Sequence, residues 1–286
     1  MKILKRLLIS LLVIVILCGG VLVGGYFYIK GTYGIDLIKT VKELKILSEP
    51  VNETQLCPHA FSDSDMVDVQ TEVNKSVENF ITYSAQHGYA VNFDDLPDEM
   101  KYIIRLTDKQ VGALAQTVVQ QEIGGKIDFG GKNVEIALKQ VAFSSLQEES
   151  VLLNSVISID VTPFKTDMPS KFPFSYLKKY VPDMLYISST VKIEKGETAF
   201  SYTVSHDSLT VNNLNKADTE DLFHTLDVVL KVGSAQSLNI SVGGAIANAL
   251  IGNETNNGLA YSLKEIGATD YAFSEETGVY YFSVLR

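Results

Sequence analysis

Apolar residues are arranged along this chain in three ways, and each predicts a different kind of element. From Leu7 to Ile29 they form one run without a charge, long enough to cross a hydrocarbon core about 30 Å thick as a helix. Further on they recur every three or four residues: Leu37, Val41 and Leu44 ahead of Pro50; Met66, Val69, Val73, Val77 and Phe80; and Val111, Leu114, Ala115 and Val118. That spacing gives a helix one apolar face. In the middle of the chain they alternate instead. Val134, Ile136 and Leu138 pair with a strand lined by Leu153, Ile157, Ile159 and Val161, and Leu185, Ile187, Val191 and Ile193 precede a second partner with Phe200, Tyr202 and Val204. The phase slips once in each hairpin, at Lys139 or Gln140 and around His206, which is what a β-bulge produces. Two more helices are predicted, from Thr219 to Lys231 and from Gln236 to Ile251; the second has almost no polar face and is expected to be buried or set against lipid. The chain closes with GLAYSLKEI, TDYAFS and VYYFSVLR, which read as a strand meander.

The first run organises the rest. Lys2, Lys5 and Arg6 crowd its amino end and only Lys30 closes the other, so the positive-inside bias keeps the N-terminus in the cytoplasm and sends the remainder outward. A cleaved signal peptide would have a shorter apolar core and an A-x-A-like site, whereas this run continues to Ile29 and its small residues are glycine pairs. The expected organisation is therefore a cytoplasmic tail and transmembrane helix over residues 1–30, a membrane-proximal helix and linker over 31–61, and an extracytoplasmic domain over 62–286. Gly20 and Gly24 form a G-x-x-x-G pair through which two such helices could associate as a homodimer.

Charge sharpens this picture. Residues 1–30 hold four of the 24 basic side chains and no acid, so the outward part carries 20 basic against 34 acidic residues. Arg105 and Arg286 are its only arginines, which excludes the basic stripe that nucleic acid requires. Of the two cysteines, Cys18 belongs to the apolar run and Cys57 stands alone outside, so no disulfide forms within the domain. Lack of disulfides in an outward-facing chain points to a bacterial cell envelope.

Candidate chemistry is thin. Ser175-Tyr176-Leu177-Lys178 matches the Ser-x-x-Lys by which penicillin-binding proteins activate a serine, but its companions are incomplete: Ser237-Leu238-Asn239 follows rather than precedes Lys231-Val232-Gly233, which has valine in place of a hydroxyl residue. A second Ser-x-x-Lys, Ser189 to Lys192, shows how readily the pattern arises. Acyl transfer is kept only as a remote alternative. Cys57-Pro58-His59 lacks a second pair at zinc spacing. Asp63, Asp65 and Asp68 fail the EF-loop pattern, with Val67 and Asp68 where a ligand and a glycine belong, and are better read as helix-capping acids. The acids around Asn92 to Glu99 read as a turn. No catalytic residue, metal or cofactor is expected.

In its arrangement, the part from Tyr102 to Gly252 resembles the extracytoplasmic domains of single-pass Gram-positive proteins similar to tubular lipid-binding (TULIP-type) folds. RLTDKQVGALAQ, the hairpins VEIALKQVAF/VLLNSVISIDV and LYISSTVKI/AFSYTVSHDSLTV, and SLNISVGGAIANAL carry the likeness. The resemblance implies an α+β fold in which a curved antiparallel sheet packs on long helices and encloses an apolar groove for an acyl chain. Groove candidates are Val111, Leu114, Val118, Ile136, Leu138, Ile157, Ile159, Leu238, Val242 and Ile246. One-sided apolar strands and an apolar helix are equally expected of a solid core. The alternative is therefore an envelope scaffold that binds other membrane or wall-assembly proteins.

Overall fold

A computed structural model describes residues 30–31, 36–78, 81–84, 88–91, 101–129, 132–167, 178–230 and 233–286. The expected transmembrane run, the Gly20/Gly24 pair, Ser175 and the acids from Asp94 to Glu99 lie outside these residues. Among the described residues no helix is long and apolar enough to cross a membrane.

The fold is α+β, and every sheet is antiparallel. The chain enters through α1 (Leu37–Leu47), α2 (Glu53–Leu56) and α3 (Asp63–Glu78), followed by the small hairpin β1 (Ile81–Ser84) and β2 (Gly88–Val91). Next come β3 (Tyr102–Thr107) and α4 (Asp108–Ile123). A meander of β4 (Lys126–Phe129), β5 (Lys132–Gln147), β6 (Ser150–Asp160), β7 (Met184–Lys195) and β8 (Tyr202–Val211) forms a five-stranded sheet in sequence order, with α5 (Thr162–Asp167) after β6. Then α6 (Lys216–Leu230), α7 (Ala235–Leu250) and α8 (Leu259–Ser262) lead to β9 (Asp270–Glu276) and β10 (Val279–Leu285). The last two strands join β3 in a separate sheet ordered β3-β10-β9.

Local chemistry accounts for several boundaries. Thr107 opens α4 with a complete capping box: Gln110 N donates to Thr107 Oγ1 at 3.2 Å, and Thr107 N donates to Gln110 Oε1 at 2.8 Å. Thr107→Ala is expected to cost about 0.5–2 kcal/mol in a urea titration, and a loss under a few tenths would mean the helix start is held by other contacts. Asp65 reaches back to the Ser62 N–H at 2.6 Å, so at least this acid does serve the start of α3. Both predicted bulges are present. Register shifts between Leu138 and Gln140 in β5, and between Thr190 and Val191 opposite β8, where His206 and Ser208 are the partners.

Besides the unpredicted short elements β2, β4 and α5, the structure departs from the pattern-based expectation at four further points. GLAYSLKEI is helical, α8 running into a 3-10 turn over Leu263–Ile266, because Leu259, Leu263 and Ile266 suit helical spacing as well as alternation. Ile81–Ser84, expected as the tail of α3, turns into a strand. Phe200 precedes β8 in a left-handed conformation, φ 59°, instead of lying in the strand. The inward face of α1 is Thr40, Glu43, Leu44 and Leu47, whereas Val41 is exposed. Leu44 and Leu47 join the core and Asn212 Nδ2 donates to the Leu47 carbonyl at 2.8 Å, so α1 is part of the folded body.

Two apolar clusters make the interior. One joins α1, α6 and the start of α7 to the lower strands, around Leu47, Ile159, Leu185, Ile187 and Leu222. The other joins the upper half of the five-stranded sheet to the β3-β10-β9 sheet, with Phe143, Tyr271, Phe273 and Phe282 in mutual ring contact at 5.1–6.2 Å between centroids. A third, smaller patch sits on the opposite face of the sheet, where Cys57, Val51 and Leu56 cover Val156 and Tyr186.

Candidate functional site

The expected groove residues divide between the two clusters. Ile136, Ile159 and Leu238 are buried in the first, with Val242 half-buried against it; Val111, Leu138 and Ile246 are buried in the second, with Leu114 half-buried. Ile157 packs against both, so these side chains form one apolar seam along the sheet. For Val118 only its place on α4 is described. Two open depressions in the surface lie elsewhere, one along Gln147–Ser150 and Lys192–Lys195, the other between Phe200, Tyr261 and Asn253–Thr255.

Helix α7 meets the sheet closely along this seam. Gly243 abuts Val191, and a Cβ built there would lie 2.9 Å from the valine Cβ, closer than side chains approach. One turn earlier, Asn239, fully buried, fastens the helix by its amide: Ser189 Oγ donates to Oδ1 at 2.5 Å, while Nδ2 donates to the Thr190 carbonyl at 2.7 Å and faces His206 Nδ1 at 2.6 Å. These partners lie at the second bulge, where the ladder is interrupted and a strand carbonyl is free for a side-chain donor. The first bulge is stitched in the same manner, since Leu138 N donates to Gln116 Oε1 and His59 N to Gln140 Oε1, at 2.7 and 2.8 Å. The far side of α7 presents Gln236, Ser237, Ser241, Ala245 and Ala249 to the surface. Its high apolarity thus reflects small residues rather than burial on all sides.

Of the residues considered for catalysis, Ser189 is buried on β7 against Asn239, whereas Lys192 pairs at the surface with Glu194 at 2.6 Å. Three residues apart on one strand, they face opposite sides of the sheet. Ser237 is exposed on α7, where its N–H donates to Ser234 Oγ at 3.1 Å. Cys57 is 5% exposed, and burial pushes its thiol up to about 11, with Glu53 adding to the rise and Lys139 opposing it. Only thiolate reacts with maleimide, so at pH ~7.5 Cys57 should label about 100-fold more slowly than a thiol of ordinary pKa, and the rate should climb tenfold per pH unit until pH approaches 11. Labelling of the native protein at the rate of the unfolded chain would show that the segment carrying Cys57 opens.

Pattern reading did not single out an acidic group between α1 and α6. Glu43, Asp218 and Asp221 bring carboxylate oxygens within 4.8 Å of one another. Burial pushes the Glu43 carboxyl up to about 7; Lys39 pulls it back, while Asp218 and Asp36 push it further. A usable signal was the position of Glu43 three residues after Thr40 and four before Leu47, on the face that turns inward.

No family model matches the chain, and neither does any curated protein or solved structure.

Proposed function

We propose that this is a single-pass membrane protein of the bacterial envelope, N-terminus inside and residues 31–286 outside, whose domain is a closed, non-catalytic scaffold that binds other membrane or wall-assembly proteins. The anchor and its orientation rest on the uncharged Leu7–Ile29 run and on the lysines and arginine before it. What carries the scaffold reading is the seat of α7: Gly243 against Val191 and the buried Asn239 amide leave helix and sheet in direct contact where an acyl chain would have to lie. A domain whose interior is filled works through its surface.

A second reading, binding of a lipid or acyl chain as in TULIP-type domains, draws on the seam itself. Ile157, Val242 and Leu114 are only half-buried, and Ile157 links the two clusters into one apolar track. The two readings share the membrane anchor and differ in the ligand.

Protease added to wall-less cells tests the common part. The expected result is loss of the outward domain with retention of a membrane-bound fragment under 5 kDa; full protection until lysis would reverse the orientation. Uptake of a fluorescent fatty acid by the same protein would favour the second reading over the first.

A further inference from the structure

The contact between α1 and α6 holds more negative charge than its neighbours neutralise. Glu43 on α1 faces Asp218 and Asp221, which stand three residues apart on α6 and so share a helix face. Glu43 is 3% exposed, and its Oε1 accepts no hydrogen bond. The nearest cation, Lys39 Nζ, is 4.0 Å from that oxygen, too far for a hydrogen bond, and is paired with Asp221 instead. A buried carboxylate oxygen without a donor is costly, and one ammonium shared among three acids does not relieve it.

We propose that Glu43, Asp218 and Asp221 form a binding site for a hard divalent cation, Ca²⁺ or Mg²⁺, which takes the place of the Lys39 ammonium between the two helices. The donors are all carboxylate oxygens, the set that hard cations select over zinc or copper. They come from two elements, and the remaining positions of the coordination shell are filled by water from the exposed side, where Asp221 and Lys39 are each 49% exposed. Lys39 is thus a built-in competitor: it holds the acids together without the ion and swings to solvent when the ion enters. Because α1 is the helix nearest the apolar run, the ion ties the membrane-proximal end of the chain to the domain. Affinity belongs to the range of about 10⁻⁴ to 10⁻³ M typical of extracellular Ca²⁺ modules.

The test uses the full chain in detergent, stripped with a chelator and titrated with CaCl₂ or MgCl₂ at ~0.15 M salt, where loosely held surface ions are screened. Calorimetry is expected to show one saturable site, and the melting temperature is expected to rise with the ion. Glu43→Gln should abolish both while leaving the metal-free melting temperature at or above that of wild type. Lys39→Met should tighten binding several-fold, which the loss of a merely structural lysine would not do. Asp221→Asn, at a half-exposed position, should weaken binding and serves as the second variant if Glu43→Gln fails to fold. Absence of a saturable site in the millimolar range, or binding that survives both Glu43→Gln and Asp221→Asn, would overturn the proposal.

Discussion

Asn212→Ala is expected to lower the stability of the domain by about 3–5 kcal/mol, since each buried backbone group left without its partner costs about 1–3 kcal/mol. Asn212 follows β8 and is buried, with φ 49° in the left-handed region that asparagine tolerates better than other non-glycine residues. Its side chain makes three bonds at once. Oδ1 accepts from Tyr186 N at 2.7 Å, and Nδ2 donates to the carbonyls of Met184 at 3.1 Å and Leu47 at 2.8 Å. Leu47 ends α1, so this last bond satisfies a carbonyl that the helix itself cannot. Alanine removes all three bonds and tolerates the left-handed region less well than asparagine, whose short polar side chain suits it, so part of the roughly 1 kcal/mol left-handed strain is added as well. Asn212→Gly, which suffers no such strain, should be less destabilised by that amount. Urea unfolding of the two variants checks both figures; a loss under 1 kcal/mol for alanine would mean that α1 is held by Leu44 and Leu47 alone.

Gly243→Leu should be the most damaging change in α7, costing about 3 kcal/mol or more, because overpacking a filled core forces strain on both surfaces. Val191, the residue it would strike, is fully buried, β-branched and held on a strand paired on both sides, so it has no free rotamer to offer. Gly243→Ala should cost less, since the gain of about 1 kcal/mol in helix propensity offsets part of the clash. Combining it with Val191→Ala makes room for the new methyl, and the pair should be more stable than the sum of the single losses predicts. If Gly243→Leu melts with the wild type, helix and sheet are not in contact there and a groove exists.

Four strands of the large sheet, β5 to β8, and two of its three register shifts were legible because alternation marks a strand and a one-residue phase slip shows in the letters around Lys139 and His206; short β4 and the shift between Ser144 and Gln147 were not. Thr107 with Gln110 was legible for a different reason, because a capping box is spelled within four consecutive residues. What escaped was pairing at long range. Nothing local in YIIRLT marks β3 as the partner of β10, because that pairing joins strands far apart along the chain. Leu259, Leu263 and Ile266 satisfied two periods at once. At the candidate sites, the purpose of Asn239 is invisible in SLNISVGG, since its partners lie on β7 and β8. Glu43 is marked in KTVKELKIL only by its helical spacing from Thr40 and Leu47, and three lysines surround it there; which face of that helix turns inward is set by the position of α6. The expected apolar face of α1, through Val41, was off by one position for this reason.

The central claim, that the domain is filled and acts through its surface, is tested most directly by native mass spectrometry of the domain cut by protease from the membranes in which the full chain is made. The account predicts the mass of the polypeptide alone, apart from bound metal ions, with no acyl-chain adduct and no lipid recovered by solvent extraction. A mass increase equal to one lipid per chain, lost on unfolding, would contradict it and establish the seam through Ile157 as a ligand site.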